Sequence, residues 1–392
     1  MTPRLSFSAR GNVDPFLAMD VLARANAAQA SGRDILHLEV GQPGGQAPAC
    51  VLEAARVALD HERIGYTQAL GRPSLRARIA RHYGEVYGVD LDPGRVVVTT
   101  GSSAGFVLSY LAAFDAGARV GIAEPGYPAN RNILKSLDLV PVGLRVGPQN
   151  RWQPTVADLQ ALTGADRLDG LLIASPANPT GTMVTRDAFA GLIGHCAENG
   201  IWFLSDEIYH GLTYGEAAAT ALEFSSEVIV INSFSKYYCM TGWRIGWLVV
   251  PEALVRVVER LAQNLFISPP TLSQFAAEAA FDACDELEAR KSVYAGNRDV
   301  LAGALKAGGQ VEIAPPDGAF YLYADMRRFT NDSQGLARAM LEETGVAATP
   351  GLDFDPVDGG LYLRFSFAED PAVIARAADK LHRWLAYRAL EG

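Results

Sequence analysis

The 392-residue sequence has only four cysteines, Cys50, Cys196, Cys239 and Cys284, far apart and without a C-x-x-C pair. That excludes a disulfide-stapled secreted domain and fits a reducing, cytoplasmic setting. Its six histidines are equally scattered. None lies three or four residues from another His or a Cys, so no metal site is expected. No run of about 18 uncharged apolar residues occurs, and the first residues lack the apolar core of a secretory leader, so neither a membrane span nor a leader is expected. Basic residues are in deficit, 34 Lys and Arg against 44 Asp and Glu, for a formal charge of -10. A polyanionic backbone or an anionic membrane would not be drawn to such a chain, although a local pocket for one small anion is still allowed. Repeats and low-complexity tracts are absent too. With 49% apolar and 20% charged residues, the chain is not globally disordered. Its length suggests two or three domains at roughly 150 residues each.

What is present is a long alternation of β-branched runs with helix-period segments, the pattern of βαβ units and a mainly parallel sheet covered on both faces. Seven strands are expected, at Arg95–Thr100, Arg119–Glu124, Val140–Val146, Gly170–Ser175, Ile201–Asp206, Glu227–Ser233 and Arg244–Val250. Only ten residues separate the last two, too few for an ordinary crossover helix, so the final strand is read as antiparallel. After Pro251 long amphipathic helices follow. Strands at Gly318–Tyr323 and Leu361–Phe367 then flank a helix at Gln334–Thr344, and a helix at Pro371–Leu390 closes the chain. The expected fold is α/β: a large domain (45–285) around the seven-stranded sheet, and a smaller α+β domain built from both termini (1–44 with 286–392). A helix near Pro15–Ala30 docks on the smaller one.

In open α/β sheets ligands bind beyond the carboxyl ends of the strands. After the first strand, Gly101-Ser102-Ser103-Ala104-Gly105 opens a helix, offering backbone N–H groups and two hydroxyls to a phosphate. The same residues fit an ordinary helix N-cap, and they match G-x-S-x-G with Ser103 as a hydrolase nucleophile, Asp206 with His210 or His382 completing the order. Asp206 and Tyr209 follow the fifth strand. Ser233 and Lys236 follow the sixth, and Arg244 lies between Gly242 and Gly246. Asn178 sits in a Pro-bracketed turn, and Tyr127 in a Pro-Gly-Tyr-Pro corner. Singly these are a cap, a solvated Lys, a salt bridge, a turn and a packed Tyr. Jointly they ask for a planar phosphorylated heterocycle with a basic ring nitrogen and an electrophilic carbon. That describes pyridoxal 5'-phosphate, with Lys236 as Schiff-base lysine and Asp206 at the pyridinium nitrogen.

The segments SFSKYYCMTGWRIGW (Ser233–Trp247), SPANPTG (Ser175–Gly181) and SDEIYHGL (Ser205–Leu212) resemble the class I and II aminotransferases of fold type I. LHLEVGQP (Leu36–Pro43), IGYTQALGRPSLRARIA (Ile64–Ala80), EPGYP (Glu124–Pro128) and LYLRFSFA (Leu361–Ala368) extend the likeness over nearly the whole chain. The resemblance implies that Lys236 forms the internal aldimine and shuttles the substrate proton, and that Asp206 pairs with the ring nitrogen. It implies that Asn178 and Tyr209 bond the ring oxygen and that Tyr127 stacks on the ring. The phosphate falls to Ser102, Ser103, Ala104, Ser233 and Arg244, with Tyr66 reaching over from the partner of a homodimer. Arg364 grips the substrate carboxylate, helped by backbone near Gly41. The implied reaction moves an amino group between an amino acid and a 2-oxo acid in two half-reactions.

Two departures matter. After GQP the chain reads GGQAPACV where many relatives carry an Asp-Phe pair and another Pro, so the substrate entrance differs. Ser103 stands where some dicarboxylate-specific relatives have a Lys, which points toward neutral, branched or aromatic donors. A C–S β-lyase is the alternative within the same cofactor chemistry, the Ser103 hydrolase a remote one, and a DNA-binding regulator with an aminotransferase-like domain ranks last because no such extension precedes the pattern.

Overall fold

The computed structural model describes residues 7–391. Its central sheet has seven strands: β1 (Val96–Thr99), β2 (Arg119–Glu124), β3 (Val140–Arg145), β4 (Gly170–Ala174), β5 (Trp202–Asp206), β6 (Ile229–Ser233) and β7 (Gly246–Val249). They lie in the order β1-β7-β6-β5-β4-β2-β3. Neighbours run parallel except β7, which is antiparallel to both β1 and β6.

Alternation along each strand feeds two cores. Val96, Val98, Leu171 and Ile173 join one apolar cluster, while Val97 and Leu172 join another with Phe106, Leu108 and Tyr110 of helix α2 (Gly101–Ala113). A sheet so covered reads as continuous apolar runs, each fully buried Val, Leu or Ile contributing about 1.5–3 kcal/mol. The last strand starts two residues later than expected because Arg244, at φ 48°, is in the left-handed region and cannot enter a ladder.

A second, antiparallel sheet of four strands comprises β8 (Glu312–Ile313), β9 (Tyr321–Asp325), β10 (Thr349–Pro350) and β11 (Tyr362–Ser366), in the order β10-β11-β9-β8. The run expected from Gly318 joins the four-stranded sheet only from Tyr321, since Ala319 turns the chain with φ 57°, and Gly318 itself makes an isolated bridge to Thr213. The start of the chain joins this part twice. Helix α1 (Leu17–Ala30) lies beside it, and the two-residue strand Leu36–His37 pairs in parallel with Val346–Ala347. The helical stretch after Pro251 divides into α3 (Glu252–Leu265), α4 (Thr271–Ala280) and α5 (Cys284–Lys306). Helices α6 (Ser333–Thr344) and α7 (Pro371–Glu391) follow, and Leu301 of α5, Met340 of α6 and Leu381 of α7 share one core with Phe320 and Leu363. Among the described residues no helix is long and apolar enough to cross a membrane.

Candidate active site

The parallel strands end at one edge of the central sheet. Because β7 runs the other way, its beginning, with Arg244, reaches that same edge. A cavity of about 260 Å³ lies there, lined by Ser102 and Ser103 after β1, Tyr127 after β2 and Asn178 after β4. Asp206 and Tyr209 line it from β5, Ser233 and Lys236 from β6, and Arg244 from the turn before β7. Gly41 comes in from the N-terminal segment and Arg364 from β11.

One end of the cavity is built for an anion. Helix α2 begins there, and its N-cap Thr100 makes no side-chain cap bond, so the first N–H groups lack that usual partner. Gly101, at φ 69°, brings the chain so close to Arg244 that a Cβ would sit 2.5 Å from Nη2. Arg244 is held by a 3.0 Å bond from Nη1 to the Thr241 carbonyl. Ser102, Ser103, Ser233 and Ser235 put four hydroxyls on the same lining.

Asp206, 3% exposed, accepts only a 3.3 Å bond from the Ile208 amide. No cation stands within 4.0 Å of its carboxylate among the described residues, and burial pushes its pKa up to about 7. A buried acid without a charged partner facing a cavity suits a ligand that brings a protonated nitrogen. Across the cavity Lys236 Nζ donates to the Gly41 carbonyl at 2.6 Å. Burial first, then the positive charges of Arg364 and Arg244, pull its pKa down to about 8 against the opposing pull of Asp206. Gly41 is obligatory, since a Cβ would lie 1.9 Å from the Tyr321 hydroxyl.

Arg364, 2% exposed, donates through Nη1 to Asn178 Oδ1 at 2.9 Å and through Nη2 to the Glu39 carbonyl at 2.6 Å and Thr349 Oγ1 at 3.2 Å. Its Nε is buried without a partner. The guanidinium lies over the rings of Tyr321 and Phe354 at 4.4 and 4.7 Å, so it is fixed in direction while its Nε–H stays unpaired.

A lysine, an unmatched buried acid, an anion seat and a spare guanidinium share this one cavity, and residues 33–381 match the sequence profile described as "Aminotransferase class I and II". The chain belongs to that family. A valine–pyruvate aminotransferase of Mycobacterium tuberculosis is 45% identical over 389 residues, covering 98% of this chain and 99% of its own. The crystal structure of an aminotransferase from the same organism superposes with a TM-score of 0.95 at 45% identity, over 98% of this chain and 100% of that one. A putative aminotransferase from Silicibacter pomeroyi does so with 0.92 at 53% identity, over 98% and 100%. The family generally uses pyridoxal phosphate, and its members act on amino acids and oxo acids.

In this aminotransferase Ala104, 6% exposed, does not line the cavity, and neither does Tyr66, 84% exposed on the surface. Tyr209 turns its hydroxyl to Tyr321, 2.8 Å away. The hydrolase alternative is not favoured. No histidine lines the cavity. His210 is buried and used up, its Nε2 donating to the Ser175 carbonyl at 3.1 Å while Nδ1 accepts from the Tyr87 hydroxyl at 2.8 Å, and His382 is exposed on α7. Sequence reasoning missed Tyr321, Ser235 and the apolar lining from Met19, Ala129 and Ile133. Tyr321 lay inside an expected strand, but strand alternation does not tell which face meets a ligand. A wider groove of about 550 Å³ between α1 and α6 holds none of the strand-end residues.

Proposed function

We propose that this aminotransferase holds pyridoxal 5'-phosphate in the cavity at the sheet edge, with Lys236 as its lysine, and transfers amino groups from neutral, branched donors to a 2-oxo acid. The observation that carries the reading is the pairing, in one cavity, of an unmatched buried Asp206 with a Lys236 of depressed pKa. The phosphate would take the α2 N-terminus, the backbone at Ala104, Ser102, Ser103, Ser233 and Arg244, and Tyr66 of a second subunit would complete that seat in a homodimer. Asn178 and Tyr209 would bond the ring oxygen, and Tyr127 would cover a ring face. When bound, the protonated ring withdraws electrons from the substrate α-carbon and so makes its proton removable.

The protein's own groups do the rest. Asp206, whose pKa is raised to about 7 while it is unpaired, would ionise opposite the ring nitrogen and hold that nitrogen protonated. Lys236, part-neutral near pH 8, accepts the α-proton, and the Gly41 carbonyl at 2.6 Å orients its amine. Arg364 takes the α-carboxylate with its free donor edge. The cavity then lies between a large unit (45–285) and a smaller one from both chain ends (1–44 and 286–392). The four cysteines are unpaired, which supports a reducing, cytoplasmic setting.

Donor specificity follows from charge. Among the described residues the cations lining the cavity are Lys236, Arg244 and Arg364, so with amine, phosphate and α-carboxylate served none of these remains for a second carboxylate. Phe16, Met19, Ala129 and Ile133 offer apolar surface instead. The activity in the name of the 45% identical relative, valine with pyruvate, agrees with such a pocket. A screen of amino donors with pyruvate tests the reading: valine should far exceed aspartate, and release of pyruvate and thiol from a cysteine conjugate without amino transfer would favour the β-lyase.

A further inference from the structure

Helix α1 is positioned by a residue from far along the chain. Its N-cap, Phe16, has no side chain that can accept a hydrogen bond, which would leave the first N–H groups of the helix without partners. Asp353 supplies both acceptors: Oδ1 takes the Leu17 amide at 2.9 Å and Oδ2 the Ala18 amide at 3.1 Å. The carboxylate is 3% exposed. Little else pins this turn. Only Ala18 and Ala25 of α1 are buried, and open space flanks it on both sides, the wide groove at Leu17 and Val21 and the catalytic cavity at Phe16 and Met19. Just upstream, Asp14 is tied to Asn132 and Lys135 only through exposed bonds.

Asp353 also belongs to the segment that sets Arg364. It closes the short turn Gly351–Asp353 directly after β10, and β10 pairs with β11 at Thr349 opposite Arg364. One short stretch of chain therefore bonds to the helix on one side of the cavity and to the carboxylate-holding strand on the other. Phe16 meets Tyr127 edge-on, with ring centroids 5.9 Å apart, and so carries this placement to the far wall.

We infer that Asp353 is a specificity-positioning residue: as a remote N-cap of α1 it sets the distance between Arg364 and the apolar surface of Phe16, Ala18 and Met19, and thereby selects donors whose side chains fill that gap. The inference rests on the reading in which Arg364 holds the α-carboxylate. A branched aliphatic side chain draws its binding from that surface, whereas the single methyl of alanine reaches little of it.

The test compares wild type, Asp353→Ala and Asp353→Asn holoenzymes in single half-reactions with valine and with alanine, without an acceptor. Asp353→Ala should lose about tenfold in specificity constant for valine and less than about twofold for alanine, a loss of the size a missing cap produces. Asp353→Asn, which keeps one acceptor oxygen, should recover most of it. In the cofactor-free proteins, hydrogen exchange at the Leu17 and Ala18 amides should speed up in Asp353→Ala while the strands of the central sheet keep their protection. Equal losses for both amino acids, or unchanged exchange in α1, would overturn the inference. A wild type that reacts with no amino acid at all would instead sink the aminotransferase reading beneath it.

Discussion

Arg364 donates through Nη1 to Asn178 Oδ1 at 2.9 Å, joining β11 to the turn after β4 across 186 positions of sequence. With the Glu39 carbonyl and Thr349 on its other nitrogen, the guanidinium is held at both ends of its fork. A lysine cannot reproduce that planar arrangement. Arg364→Lys should therefore lower kcat/KM for amino donors by about a hundredfold, within the cost of removing a buried charged partner, chiefly through KM. Steady-state kinetics on valine would show it, and a variant within threefold of wild type would remove Arg364 from the carboxylate role.

Among the described residues Lys236 has no neighbour able to replace it, since the other cations lining the cavity are guanidiniums that stay protonated. Lys236→Ala should lose the yellow absorbance of a lysine-bound cofactor and at least a thousandfold of turnover, of the order that loss of a general base costs. Its circular dichroism should match wild type. Retained turnover would disprove the assignment.

Asp206 and Glu207 are both held protonated by burial, toward about 7 and about 8 from ordinary values of 3.8 and 4.5. Between those limits the folded apoprotein keeps protons that the unfolded chain releases, so this share of stability is present at low pH and lost as pH rises through the folded values. Asp206→Asn removes its part. The stability of that variant relative to wild type should then grow from about pH 4 to about pH 7 and level off above, at up to about 1.4 kcal/mol per pH unit. Thermal unfolding of the two apoproteins across this range measures it, and a flat difference would contradict the burial of an uncompensated carboxylate.

Tyr66 is 84% exposed although it belongs to a segment expected to serve a phosphate, and Ile64 beside it is 43% exposed. A homodimer that brings Tyr66 to the partner's cavity accounts for both. Sedimentation should give a dimer, and Tyr66→Phe should weaken cofactor affinity by about fivefold, the worth of one hydrogen bond, without dissociating it. A monomer that binds the cofactor at full affinity would exclude this role.

The strand-end residues were legible because each is attached to a local pattern. Asp206 ends an apolar run, Lys236 follows another, and Gly101 and Gly105 bracket the turn into α2, so β-periodicity and turn chemistry locate them without neighbours. The antiparallel β7 could be read from a ten-residue connection. The strand boundaries moved by up to three residues where a backbone conformation, such as Arg244 at φ 48° or Ala319 at φ 57°, stopped the pairing. Tyr321 and Asp353 carry no such mark. One is an aromatic in an ordinary strand and the other an acid in a turn, and their importance comes from what packs against them.

The sequence by itself determined a doubly covered α/β sheet, a lysine and an acid at adjacent strand ends, and the family to which the chain belongs, because local periodicity and short motifs encode these. Tertiary structure alone decided two things: that Arg364 meets Asn178, and that Asp353 caps a helix 335 positions before it. Such contacts join segments whose separation has no periodic signature. They exist because burial of the apolar faces forces those elements together, and only then do the polar groups find their partners.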